Sequence, residues 1–400
     1  MNFVVDLHSH SPYAGASGKS DFRRLSSVMR IKGINIYGSG DILLKKWEDE
    51  LSAEFTFDKK KSMWVIEPGQ FLMPQTEIIV TLPYAPEPVK RKLFHVVLLF
   101  ADMESVYTVR AMMEKKGSKL GIGRPFIKFD SYLEMQNFFF EMKQSARVAI
   151  VPAHVVTPEG ILGGKNPVDS ITEIWGDNTT LIDALETGLS ADPEMLAAVA
   201  GSLDVPLISS SDAHSAAFNR LGREFTLLDV EEESASGVLA ALAEKKVLKT
   251  AEFPPFEGRY YLTGHRADRP GHNGQEVFYL DNPPAVCPIC GKPFVEGVRQ
   301  RIKRISSGLA VRKQEFVYQM PLIEIIASSL GCGAGSKKAS DLYMKIASQT
   351  GTESNIWFQN GDSALTGIPD VVVEGIRCVK ENRFKIKYGF DGQYGQILLA

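Results

Sequence analysis

The sequence predicts an α/β fold: a (β/α) barrel over residues 1–250, a small cysteine-bearing module over 251–297 and a mainly helical module over 298–400. Three features predict it. Short apolar runs recur along the first 250 residues and end on a histidine or a carboxylate, as buried strands do when their last residues reach a common site. Helical stretches fall between them, among them 194–202 and 235–248. The run Phe253-Pro254-Pro255-Phe256-Glu257-Gly258 then breaks the pattern and ends the barrel.

The first strand, Val4-Val5-Asp6-Leu7, delivers His8 and His10. Residues i and i+2 of a strand point the same way, so this pair can grip one ion. Residues 34–40 lead to Asp41. Residues 64–67 and 71–77 lead to Glu77. The run 92–100 carries His95 inside an apolar stretch. Residues 148–153 end on His154, 181–186 end on Glu186, and 207–211 end on Asp212 and then His214. Of the seven histidines, five lie at such positions. A lone histidine in an apolar run is ordinarily a core residue, but the joint pattern marks a metal centre.

Imidazole and carboxylate ligands suit zinc, iron or manganese. Glu77 and Asp212 could each bridge two ions. Such pairs suit phosphate-ester cleavage, in which one ion activates water and its neighbour steadies the departing oxygen. The candidate ligands are His8, His10, Glu77, His95, His154, Asp212 and His214, with Asp41 and Glu186 added. Glu77, Asp212 and His214 are the candidate catalytic groups. Zinc is expected in this cluster, with Mg2+ or Mn2+ as alternatives.

His8-Ser9-His10, Glu77, His95, His154 and Ser211-Asp212-Ala213-His214 resemble the motifs of the polymerase and histidinol phosphatase (PHP) superfamily. That resemblance implies a distorted (β/α)7 barrel with up to three metal ions. A narrower resemblance, to endonuclease Q, rests on Gly38-Ser39-Gly40-Asp41 with Trp47, on Ala153-His154-Val155-Val156-Thr157-Pro158, and on Leu185-Glu186-Thr187-Gly188-Leu189-Ser190-Ala191-Asp192-Pro193. It continues in Cys287-Pro288-Ile289-Cys290-Gly291-Lys292-Pro293, Gly297-Val298 and Arg301-Ile302. It implies cleavage of DNA on the 5′ side of deoxyuridine, deoxyinosine, deoxyxanthosine or an abasic site. Three positions depart from the pattern. Ala16, Ile42 and Leu44 stand where relatives offer further histidines.

Cys287-x2-Cys290 followed by Gly-Lys-Pro is a knuckle that makes two thiolates converge on zinc. His265 and His272 are the nearest candidates for the second pair, and Cys332 and Cys378 are the alternatives. Four cysteines in all suit metal binding in a reducing compartment better than disulfides. Further on, 298–304 is a basic run, either a solvated helix face or a phosphate contact. Residues 321–330 read as an apolar helix. The glycine-rich loop 331–338 opens another and lacks P-loop spacing. Residues 388–397 read as a glycine-rich hairpin, either a packed terminal strand or a loop that touches nucleic acid.

A net charge of −3 excludes a bulk polycation, so DNA affinity needs local basic patches. No signal-peptide pattern or long apolar span is present, and a soluble cytoplasmic protein is expected. Damaged DNA is the expected partner, with no membrane; a sliding clamp is a further candidate. Two other readings compete: a small-molecule phosphoesterase of the histidinol-phosphate phosphatase kind, and a non-catalytic DNA-binding protein. Trp47, Tyr13 or the run Phe138-Phe139-Phe140 could wall a base pocket, although the phenylalanines suit a helix core better.

Overall fold

The computed structural model describes residues 1–15, 21–199, 203–306, 314–359 and 365–398. Ala16 lies outside them. The strand Asn2–Asp6 pairs in parallel with Ile36–Gly38, which pairs in parallel with Gln70–Met73. After Pro74 the chain continues as Gln75–Tyr84 and turns back as Glu87–Phe100, a long antiparallel hairpin. Val148–Pro152 pairs antiparallel with Glu87–Phe100. Asp183 N donates to Ile150 O at 3.0 Å and Val155 N to Glu186 O at 3.2 Å, which carries the succession to Leu185–Glu186. That strand lies parallel to Leu207–Ile208, and the parallel bridge Ser9↔Ala213 returns to the first strand. The result is a distorted barrel.

The distortion corrects one expectation. Ligands were expected at strand C-termini, yet Glu77 is near the start of its strand and His95 in the middle of the next. A buried strand reads as the same apolar run whether its neighbour is parallel or antiparallel, so sequence alone could not reveal the hairpin. Glu77 pairs with Val97 and Ile79 with His95, so Glu77 and His95 are diagonal neighbours on one sheet face.

Most barrel strands send side chains into one interior cluster that includes Val5, Leu7, Ile36, Met73, Val97, Val151 and Ile208. Full burial of each such side chain contributes about 1.5–3 kcal/mol. This apolar floor holds the strand ends that carry the polar cluster. Helix Phe22–Lys32 begins where Asp21 accepts from Arg24 N and stops at Gly33, whose φ of 78° closes the C-terminus.

Other helices differ in extent from their sequence reading. The helix expected at 235–248 covers Ala235–Ala243, because the chain turns at Lys245 (φ 58°) and enters the strand Val247–Glu252. Of the helix expected at 194–202 the structure gives Pro193–Ala197, which starts one residue earlier, and 200–202 lie outside the described residues. Leu322–Leu330 and Lys337–Thr350 are helices as expected, the second capped by Ser336 Oγ. Strand Phe316–Tyr318 joins the barrel sheet beside Val247–Glu252. The buried pair Lys32–Glu353, at 2.8 Å, ties the first barrel helix to the C-terminal helices. Among the described residues no helix is long and apolar enough to cross a membrane.

Candidate active site

The barrel mouth gathers the predicted residues into overlapping groups. His8, His10 and Glu77 form one, Glu77, His95 and His154 a second, and His10, Asp212 and His214 a third; within each group the ligand atoms lie within 4.8 Å of one another. His10 Nε2 is 3.0 Å from Asp212 Oδ1, and His95 Nδ1 is 2.7 Å from Glu77 Oε1. His8 Nε2, His10 Nε2 and Glu77 Oε2 are buried and make no well-formed hydrogen bond, only ion-pair contacts with one another and with Asp212. Bare lone pairs packed together in the interior are costly, and a shared cation removes that cost. The donor set therefore fits divalent metal.

Asp41 and Glu186 hold the ligands from behind. Glu186 contacts His8 Nδ1 at 3.0 Å and accepts the His154 backbone N–H at 3.0 Å. Asp41 is 3.4 Å from His10 Nδ1 and accepts the Ser11 N–H at 2.7 Å. Thr157 Oγ1 is 3.0 Å from His154 Nδ1. Such contacts fix the ring orientation and leave Nε2 facing the cluster. Asp41, His154 and Asp212 all adopt positive φ, at 44°, 31° and 46°. This sparsely populated backbone region, unusual for residues other than glycine, concentrates here at three site residues.

The electrostatics match. Burial pushes the His10 imidazolium down, but Asp212, Asp41 and Glu77 outweigh it and raise its pKa to about 9. The same burial acts on His8, and Glu186, Glu77 and Asp212 raise it well above its ordinary value. Burial pushes Glu77 up, yet His95, His154 and His8 hold it well below the usual carboxylate range. His214 goes the other way: burial, then His10, lower it to about 4.

A histidine raised in the folded state contributes stability in full below its unfolded value near 6.5 and loses it as pH rises through the folded value, about 9 for His10. The chelated protein should therefore melt at lower temperature at pH 9 than at pH 6. Saturating Zn2+ or Mn2+ should remove most of that slope, because the ion replaces the proton. Thermal melting of chelated and loaded protein measures both; identical slopes with and without metal would contradict the assignment.

The cluster opens into a cleft of about 390 Å³ lined by His154, Glu186, Asp212 and His214 and by residues the sequence reading missed: Arg124, Arg220, Arg223, Arg259, Tyr260 and Tyr394. They are single residues in loops and follow no periodicity. Only Tyr394 carried a signal, as part of the tail hairpin read at 388–397; its strands are Lys385–Lys387 and Gln396–Leu398, so most of that span is the connection between them. Arg223 Nη1 donates to Tyr394 Oη at 3.1 Å.

Trp47 is core, with Nε1 donating to Ser39 O, and Phe139 is buried in helix Tyr132–Ser145. The basic run 298–304 is engaged within the protein. Buried Arg301 grips Leu162 O and Asp169, Lys303 pairs with Asp281, and Arg304 pairs with Glu296.

The second cluster is His265, His272, Cys287 and Cys290, also within 4.8 Å. His265 Nε2 faces Pro293 O at 3.0 Å and His272 Nδ1 faces Gln275 O at 2.8 Å, which leaves one nitrogen of each ring for a shared ion.

A distorted α/β barrel with a cluster of imidazole and carboxylate donors at its mouth defines the class. Within that class the whole chain has the architecture of endonuclease Q. It matches the lesion-specific endonuclease PfuEndoQ of Pyrococcus furiosus with a TM-score of 0.82 and 26% identity, over 100% of this chain and 96% of that one. It matches a complex of endonuclease Q with a 27-mer duplex, an abasic lesion at the active site, with a TM-score of 0.84 and 27% identity, over 100% and 97%. No family model matches the chain. An uncharacterized protein of Bacillus subtilis, YqxK, is 29% identical over 255 residues, 62% of this chain. The chain spans about three fifths of that relative's length, the match covering 60% of it.

Proposed function

We propose that this chain is a DNA repair endonuclease that hydrolyses the phosphodiester on the 5′ side of a deaminated base (uracil, hypoxanthine or xanthine) or of an abasic site. The observation that carries this reading is the likeness over the full chain, through both modules beyond the barrel, to a lesion-specific endonuclease. A small-molecule phosphoesterase would need the barrel alone. The sliding clamp gains no support from the described residues.

His8, His10 and Glu77 would hold one cation, with Asp212 beside it at 3.0 Å from His10 Nε2, and Glu77, His95 and His154 a second, with zinc or manganese suited to these donors. Bound divalent cations supply Lewis acidity and a nucleophilic hydroxide near neutral pH. The protein's own groups do the rest. Glu186, Asp41 and Thr157 hold the imidazoles in one orientation. His214, neutral at pH 7, lines the cleft as a proton acceptor. Arg220, Arg223 and Arg259 face the cleft and suit the backbone on either side of the cut.

A recessed cluster cannot reach a base stacked in a duplex, so the lesion nucleotide leaves the helix; a deaminated or missing base is the cheaper one to extrude. The ends left are 3′-hydroxyl and 5′-phosphate. Metal-loaded protein should nick labelled duplexes bearing one uracil, hypoxanthine or abasic site and spare undamaged DNA and a phosphomonoester. Equal cleavage of damaged and undamaged duplexes, or of the monoester alone, would refute the reading.

A further inference from the structure

The geometry points to Arg124 as a catalytic residue that grips the non-bridging oxygens of the scissile phosphodiester and does the work of an additional cation beside Glu77. The inference rests on the phosphodiesterase reading of the cleft. Arg124 Nη1 is 3.6 Å from Glu77 Oε2, and its side chain is 31% exposed, facing the cleft. Among the described residues its guanidinium makes no hydrogen bond, and Glu77 is the carboxylate within ion-pair reach. A planar fork of N–H donors left open next to a metal cluster matches the paired oxygens of a phosphodiester.

The loop is built to bring it there. Gly123 N donates to Tyr13 O at 3.3 Å, and a Cβ on Gly123 would stand 2.7 Å from Ala14 N and 2.8 Å from Asp41 Oδ2. Only glycine lets this loop lie so close to the His10 loop. On the other side Ile79 N donates to Pro125 O at 3.0 Å, and Ile79 pairs with Phe126. Arg124 is thus anchored at both ends to elements that carry ligands.

The metal groups leave room for such a cation. His10 and Glu77 are each shared between two of the three barrel groups. A carboxylate can bridge two ions, but His10 has only Nε2 to give, since Nδ1 faces Asp41. His10 can thus serve one ion at a time, which leaves His214 with Asp212, 3.6 Å away, as its neighbour in the third group.

The test compares Arg124→Ala and Arg124→Lys with the full-length wild type. The substrates are bis(p-nitrophenyl) phosphate and a lesion duplex, and metal content is read by elemental analysis. The alanine variant should keep its metal and lose about 10²–10³-fold in kcat, the scale of removing one preorganised donor to developing charge. The lysine variant should recover part of it, since it restores charge without the fork. Inorganic phosphate should bind the loaded alanine variant about tenfold or more weakly by calorimetry, a readout that needs no turnover.

Loss of metal in both variants would overturn the proposal by making Arg124 a support for the ligands. So would an unchanged kcat or unchanged phosphate affinity in the folded lysine and alanine variants. A wild type that cleaves the small diester but spares the lesion duplex would sink the nuclease reading alone.

Discussion

Replacing Asp212 with asparagine is expected to abolish phosphodiester cleavage and leave the fold in place. Asp212 Oδ1 lies 3.0 Å from His10 Nε2, 3.8 Å from His8 Nε2 and 3.6 Å from His214 Nε2. Burial pushes its carboxyl up, but His10 and His8 hold it ionised far below its ordinary value. The amide keeps the shape and removes the charge that balances a cation. Its φ of 46° is a region that asparagine tolerates well, so the turn should survive. Loss of a preorganised charge at the reacting centre costs about 10²–10³ in rate at least, and loss of a metal adds to that. Rate measurements on the lesion duplex together with circular dichroism would check it. Full activity in a folded Asp212→Asn protein would remove Asp212 from the site.

Asp212 was legible in the sequence because it shares a short segment with His214 behind an apolar strand. The same holds for His8 and His10, where strand period alone puts both rings on one side. Glu77 and His95 were legible as residue types in apolar runs, but their hairpin geometry was not, since an apolar run does not state its neighbour's direction. Asp41 and Glu186 look like ligands from sequence; in space they lie against the Nδ1 atoms of His10 and His8, a placement that only the fold reveals.

Arg124, Arg220, Arg223 and Arg259 were invisible for a different reason. Arginine in a loop is an ordinary exposed residue, and only the convergence of distant loops on one cleft separates these from the rest. The basic run 298–304 shows the converse. It carries the stronger sequence signal for phosphate, yet Arg301 is spent on the barrel loop and its neighbours on acids.

We propose that the His265, His272, Cys287, Cys290 cluster holds structural zinc, and removing it should weaken cleavage of DNA more than cleavage of a small phosphodiester. The four ligands come from two short stretches that bury little apolar surface, with Tyr261, Leu262 and Phe390 as the local core. Such a unit leans on its ion, and structural zinc is worth on the order of 10–16 kcal/mol to small zinc-finger peptides. Cys287 Sγ is 3.4 Å from His272 Nε2, and Cys290 Sγ is 3.5 Å from His265 Nδ1, a closed tetrad with no open position for substrate. The module is wired to the cleft. Arg269 pairs with Asp391 in the tail hairpin, Leu262 N donates to Gly389 O at 3.0 Å, and Val298 N donates to Tyr260 O at 2.8 Å. Tyr394 lies three residues beyond Asp391, and Arg259 and Tyr260 lie within the module just ahead of His265; all three line the cleft. His265→Ala, His272→Ala and Cys287→Ser should each lower zinc content by one ion per chain, lower the melting temperature and slow nicking of a lesion duplex. Hydrolysis of bis(p-nitrophenyl) phosphate at the barrel cluster should fall less, because its ligands come from other strands. Unchanged zinc content in both histidine variants would return the second ligand pair to Cys332 and Cys378. Equal losses on both substrates would mean that the module supports the barrel itself and not the grip on DNA.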